Sequence, residues 1–194
     1  MHMWWRPSPE RRFRRDKYAD YFQHLDRNGN GRIDRNDLGH YASAVKERLS
    51  LPGDSPRLSR LRATTQALWA SITGPMDGHG EGSVRLDEMV GFFVSVHEQM
   101  HQGGELPRAA ADHVLAAFAV FDLDGNGTIG PDEYATYLAT IGSDADPAAA
   151  FARLDIEGAG TLSMEAIETL YRQWVSAGTP DAPGNYLLTG QLPE

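Results

Sequence analysis

Apolar residues recur at helical spacing along most of the chain, and the polar breaks between them are short and regular. The first helix predicted opens at Ser8-Pro9-Glu10, where a cap, a proline in the first turn and an acid suit the positive end of a helix. It runs to about Leu25, with Phe13, Tyr18, Tyr21, Phe22 and Leu25 as its apolar members. Further helices are predicted at about Asn36–Leu49, Leu58–Thr73, Leu86–His101, Arg108–Phe121, Pro131–Ile141, Pro147–Leu154 and Met164–Ala177. Leu51-Pro52-Gly53-Asp54-Ser55-Pro56 reads as a linker, and Gly103-Gly104-Glu105-Leu106-Pro107 divides the chain into halves. The Gly- and Pro-rich stretch 178–194 reads as a packed tail.

Between helices one short pattern repeats four times, starting at Asp26, Asp77, Asp122 and Asp155. An acid comes first, polar residues follow, glycine stands sixth and an aliphatic residue eighth. This is the 12-residue EF-hand loop. Its ligands come from positions 1, 3, 5, 7 (a backbone carbonyl), 9 and 12, and its sixth-position glycine makes the sharp turn. The expected fold is therefore all-α: four EF-hand helix–loop–helix units in two pairs. Residues 1–102 would hold loops 26–37 and 77–88, residues 103–177 would hold loops 122–133 and 155–166, and residues 178–194 would form the tail. The aliphatic eighth residues, Ile33 with Val84 and Ile129 with Leu162, are placed to join paired loops by short antiparallel bridges.

The four loops differ in what they offer a hard cation. Loop three presents Asp122, Asp124, Asn126, the Thr128 carbonyl and Glu133, with Gly130 at position 9 leaving room for water. Loop one presents Asp26, Asn28, Asn30, the Arg32 carbonyl, Asp34 and Asp37. Asp37 is one methylene shorter than the usual Glu at position 12, which favours six-fold coordination and so leaves Mg²⁺ possible beside Ca²⁺. Loop two has Glu88 at position 12, but His79 and Arg85 oppose calcium at positions 3 and 9. Loop four lacks oxygen at Ala159 and Ala166. Two Ca²⁺ sites, in loops one and three, are expected; loops two and four are expected to serve pairing.

Four hands at unequal spacing with degenerate even-numbered loops resemble the sarcoplasmic calcium-binding proteins, and among them the calerythrin-like proteins of bacteria. The tail Thr179-Pro180-Asp181-Ala182-Pro183-Gly184-Asn185-Tyr186-Leu187-Leu188 is similar to that family's closing segment. The resemblance implies one compact calerythrin-like body and a role as calcium buffer or closed-form calcium sensor.

Composition narrows the partners. The net charge is −9, yet the first 17 residues carry six cationic side chains against Glu10 and Asp16, about +4, so the remainder carries about −13. An acidic body argues for cations and against nucleic acid. There is no cysteine, no apolar run of signal-peptide length and none approaching the ~18 residues of a membrane span. A cytoplasmic monomer is the expectation, with a protein partner unidentified. Six methionines form no stripe of the kind a target-binding groove uses.

Two features point elsewhere. His97-Glu98-Gln99-Met100-His101 is an H-E-x-x-H string, which on a helix presents two imidazoles to zinc with Glu98 as base, as in a zinc hydrolase. No third ligand is evident, since Pro107 stands where a third histidine would fall. The aromatics Trp69, Phe92, Phe93, Phe118, Tyr134, Tyr137 and Trp174 form either plain core or the lining of a cavity for an apolar small molecule, as in a carrier or enzyme; helical spacing favours core.

Overall fold

The computed structural model describes residues 7–76 and 82–193. Eight α-helices follow one another among them: α1 (Pro9–Leu25), α2 (Arg35–Arg48), α3 (Pro56–Met76), α4 (Leu86–His101), α5 (Arg108–Ala119), α6 (Pro131–Ile141), α7 (Pro147–Leu154) and α8 (Met164–Ser176). Their ends have local causes. The Ser8 hydroxyl accepts from Arg11 N at 3.3 Å and caps α1. Asp34 caps α2 through Asn36 N at 2.6 Å, so that helix begins at Arg35 rather than Asn36. The third helix starts two residues earlier than its apolar pattern suggests: Pro56 takes the first helical position and the Ser55 carbonyl accepts from Ser59 N at 2.9 Å. The fifth stops short of Phe121, whose N–H turns back to the Phe118 carbonyl.

The only strands among the described residues are four of two residues each. Here β1 (Arg32–Ile33) pairs antiparallel with β2 (Val84–Arg85), bringing Ile33 opposite Val84. Likewise β3 (Thr128–Ile129) pairs with β4 (Leu162–Ser163), bringing Ile129 opposite Leu162. All four of these aliphatic residues are at most 2% exposed. The bridges thus place the apolar residue of each loop in the core and leave the polar positions outside.

One apolar cluster runs through both halves. Trp174 of α8 is its centre, with ring centroids at 5.0 Å from Phe93 of α4, 5.5 Å from Tyr18 and 5.3 Å from Tyr21 of α1. A second aromatic group joins α5, α6 and α7: the Phe118 ring centroid lies 4.6 Å from that of Tyr137, the rings tilted by 40°, and Tyr134 lies 6.0 Å from Phe151. Large rings shared between helices of both halves remove much apolar area from water, at about 25 cal/mol per Å².

The tail is packed. A single 3₁₀ turn, Pro183–Tyr186, leads into Leu187 and Leu188, both buried. The Tyr134 hydroxyl donates to the Tyr186 carbonyl at 2.5 Å, the Tyr137 hydroxyl to the Leu188 carbonyl at 2.9 Å and the Ser143 hydroxyl to the Thr189 carbonyl at 2.6 Å. No helix among the described residues is long and apolar enough to cross a membrane.

Candidate metal centre

Loop three is the most developed site. It starts where α5 has ended and closes on the first turn of α6. Gly127 at position 6 has φ +82°, in the left-handed region where a side chain would be strained, and its N–H donates to Asp122 Oδ2 at 3.1 Å. Asp124 Oδ1 accepts from Asn126 N at 3.0 Å, and Asn126 Oδ1 accepts from Thr128 N at 2.7 Å. These short turns hold positions 1, 3 and 5 facing inward. Glu133 is held from both sides: Oε1 accepts from Leu123 N at 2.6 Å and Oε2 from Gly130 N at 2.8 Å.

The result is a convergence of like charge. Asp122, Asp124 and Glu133 each present an oxygen within 4.8 Å of the others, the one such acidic or histidine group among the described residues. Asp122 Oδ1 is buried and has no hydrogen-bond partner. Three carboxylates at this separation repel, and a buried charge without a partner costs several kcal/mol. A divalent cation cancels both costs, and hard carboxylate and carbonyl oxygens are the donors calcium takes. The residues present fit the ion.

Loop one repeats the turn with different chemistry. Gly31 has φ +77° and donates to Asp26 Oδ2 at 2.7 Å; Asn30 N donates to Asp26 Oδ1 at 3.1 Å; Arg32 N donates to Asn30 Oδ1 at 2.8 Å. Asp34 spends its Oδ1 on the start of α2, accepting from Asn36 N and Asp37 N. Asp37 is 2% exposed; its Oδ2 accepts from Asp34 N at 3.0 Å, and its Oδ1 lies 3.5 Å from the Asn28 amide nitrogen. The three acids of loop one do not gather as those of loop three do. The cause is local: Asn occupies positions 3 and 5, Asp34 acts as a helix cap, and the short Asp37 side chain stays against its own helix start.

The other loops keep the turn without the ligands. In loop four the Asp155 carboxylate accepts from Ala159 N at 2.9 Å and Gly160 N at 2.8 Å, but Ser163 caps α8 by accepting from Ala166 N, and no carboxylate stands at position 12. In loop two, Glu88 Oε2 accepts from Arg85 N at 2.8 Å. Asp77, His79 and Glu81 of that loop lie outside the described residues.

Two side chains at the metal loops were invisible to sequence spacing. Arg57 of α3 donates to the Asp122 carbonyl, at position 1 of loop three. Arg27, at position 2 of loop one, donates to the Thr140 carbonyl at 2.9 Å, near the end of α6. Each links one half of the chain to a metal loop or its exit helix in the other. Their partners lie 65 and 113 residues away, beyond any local pattern.

The H-E-x-x-H string does lie on α4, with the rings of His97 and His101 stacked at 6.0 Å. Among the described residues no third acid or histidine gathers with them. Burial and the nearby Arg14 guanidinium hold the His97 imidazole below its ordinary pKa. Of the aromatics weighed as a cavity lining, Trp69, Phe93, Phe118 and Tyr137 line the central cavity, while Phe92, Tyr134 and Trp174 do not.

Helix–loop–helix units bridged in pairs through buried position-8 residues, with carboxylates gathered in a glycine-turned loop, define an EF-hand protein. The EF-hand family model matches residues 19–40 and 115–139, ranges that contain loops one and three. The chain is 30% identical to Probable calcium-binding protein CML17 of rice (Oryza sativa subsp. japonica) over 125 residues, which span 62% of this chain and 66% of that protein. It therefore spans about two thirds of that relative's length. Among solved structures it superposes on a calcium-binding protein of Streptomyces coelicolor with TM-score 0.70, at 26% identity, over 84% of this chain and 98% of that one. It shares the fold of the sarcoplasmic calcium-binding protein of amphioxus, with TM-score 0.71, at 23% identity, over 93% and 98% of the two chains. The chain belongs to the EF-hand family of calcium-binding proteins.

Proposed function

We propose that the chain is a cytoplasmic, monomeric calcium buffer or closed-form calcium sensor that holds one ion in loop three and one in loop one. The observation that carries the reading is the loop-three cluster, in which Asp122, Asp124 and Glu133 converge within 4.8 Å around a buried, unpartnered Asp122 oxygen. The Asn126 side chain and the Thr128 carbonyl complete its oxygen set. In loop one Asp26, Asn28, Asn30, the Arg32 carbonyl and Asp37 serve, with Asp34 acting through water. The family-model match over the stretches containing these two loops supports the same pair. Mg²⁺ competes in loop one because Asp37 favours the smaller, six-coordinate ion.

The two bridged pairs act as units, residues 1–102 and 103–177, with the tail 178–194 as their strap. The buffer or closed form is supported by that strap. Opening a target groove on α6 would break the bonds of Tyr134, Tyr137 and Ser143 to tail carbonyls. Zinc hydrolysis at His97 and His101 lacks a third ligand among the described residues.

Calorimetric titration of chelator-stripped protein tests the reading. Two calcium equivalents are expected, the tighter one abolished by Glu133→Gln. No heat above the buffer blank, or four equivalents, would overturn it.

A further inference from the structure

Arg57 is the second residue of α3, directly after Pro56, in the first turn of a helix that carries Arg57, Arg60 and Arg62 and no acid. The positive end of a helix disfavours a cation. A local rule broken in this way marks a place where tertiary structure supplies the compensation. The compensation lies 65 residues away, where the Arg57 guanidinium donates to the carbonyl of Asp122, the first residue of loop three. A Cβ on Gly125 would lie 3.6 Å from Arg57 Nη2, so the guanidinium runs along positions 1 to 4 of that loop.

Two other arginines that cross between the halves sit differently. Arg27 donates to the Thr140 carbonyl at 2.9 Å and Arg48 to the Ala139 carbonyl at 3.1 Å, both in the last turn of α6. The helix dipole favours a cation at that end, and this accounts for both contacts. Arg57 instead sets its charge beside Asp122, Asp124 and Glu133, the carboxylates that converge within 4.8 Å. It bonds the backbone oxygen of Asp122, which is not a ligand in an EF-hand loop, and leaves the buried Oδ1 without a partner. The ligands stay open to an ion while a positive charge stands next to them.

That charge cannot be titrated away, because a guanidinium stays protonated in proteins. In the metal-free chain it offsets part of the mutual repulsion of the three carboxylates. With a divalent ion in place it repels the ion instead. Both effects have the same sign: they favour the empty loop over the loaded one. Arg57 is an exposed residue, so water and salt screen the effect and keep it modest.

We propose that Arg57 is an affinity-setting residue for loop three: a fixed cation, supplied by the N-terminal half, that holds the site below the calcium affinity its own oxygens would give. The role rests on the reading that loop three holds calcium, and it is independent of loop one. The docking of α3 thereby becomes part of the calcium site, although the 12-residue loop pattern does not contain it.

Calorimetric titration of the full, chelator-stripped chain tests this. The tighter calcium step, the one that Glu133→Gln removes, reports loop three. Arg57→Gln keeps a donor for the Asp122 carbonyl and removes the charge, so it should tighten that step about five-fold at low salt. The gain should vanish in ~1 M KCl, where the screening length is ~3 Å. Terbium(III), with one more charge than calcium, should gain more. Arg57→Lys keeps the charge and should stay within about two-fold of the unaltered chain. Arg57→Met, lacking charge and donor, should also bind tighter, and it decides the matter if Arg57→Gln fails to fold. A contact that only braces the loop predicts the opposite: weaker binding in all three variants, whatever the salt or the ion. Equal or weaker binding in the uncharged variants would overturn the proposal, as would a gain that persists at high salt or one matched by Arg57→Lys. Absence of the calcium step in the unaltered chain would instead overturn the assignment of loop three itself, and the role of Arg57 with it.

Discussion

Lys17 Nζ donates to Asn185 Oδ1 at 2.8 Å, joining the first helix to the tail in the interior of the protein. Lys17 is 3% exposed, and its ammonium also donates to the Ala177 carbonyl at 3.1 Å. Asn185 in turn donates to the Thr179 carbonyl at 2.8 Å, so the tail folds around this pair.

The pair carries a pH signature. Burial, and secondarily Arg14, hold the Lys17 amine down to about 7 from its ordinary 10.5. Between those values the unfolded chain binds one more proton than the folded one, so stability should rise with pH through this window. The melting temperature is expected to climb from pH 7 to pH 9.5, and Lys17→Met should flatten that slope. The scan stays above pH 7 because His113, held at about 4, adds stability only as pH rises toward 6.5. It stays below pH 10 because buried tyrosines such as Tyr21 cost stability beyond that point.

The tail passes Gly184 against α8 with no room to spare. A Cβ there would run into the Leu170 carbonyl oxygen and lie 2.6 Å from Gln173 Cβ. Backbone cannot yield as a side-chain tip can. Gly184→Ala should therefore destabilise by about 1–3 kcal/mol in denaturant unfolding. An unchanged midpoint would mean that the tail can lift without loss.

Calcium in loop three should stabilise the fold by mass action, about 2.7 kcal/mol when the free ion is 100-fold above its dissociation constant. Glu133→Gln keeps the shape but removes one charge and one acceptor. Its calcium-dependent gain in melting temperature should be much smaller than that of the unaltered chain, leaving only what loop one supplies. An undiminished gap in the variant would place the main stabilising ion elsewhere.

Loop one offers the complementary change. Asp37→Glu lengthens the position-12 carboxylate to the reach that a bidentate grip on calcium needs. Calcium affinity at this loop should increase relative to Mg²⁺ in competition calorimetry. Asp37 is 2% exposed, so the added methylene should cost about 1 kcal/mol of metal-free stability. Equal preference before and after the change would show that Asp37 does not set the ion.

Local rules made much of this molecule legible from its residues alone. Helices α4, α6 and α7 run where periodicity, Pro131, Pro147 and the following loops place them. The bridges Ile33–Val84 and Ile129–Leu162 follow from the eighth position of each loop. The turns of loops one and three follow from Gly31 and Gly127, because a positive φ is a one-residue property. The helices and turns depend on contacts within about a dozen residues, and the bridges on the same loop pattern recurring farther along the chain. Tertiary structure decided the rest. It set Arg57 on the Asp122 carbonyl and buried Lys17 under the tail. It turned Tyr21, Tyr41 and Tyr171, ordinary members of three apolar helix faces, toward one cavity. Periodicity tells which face of a helix is buried. What meets a side chain there depends on how distant helices cross, and no spacing in the chain encodes that.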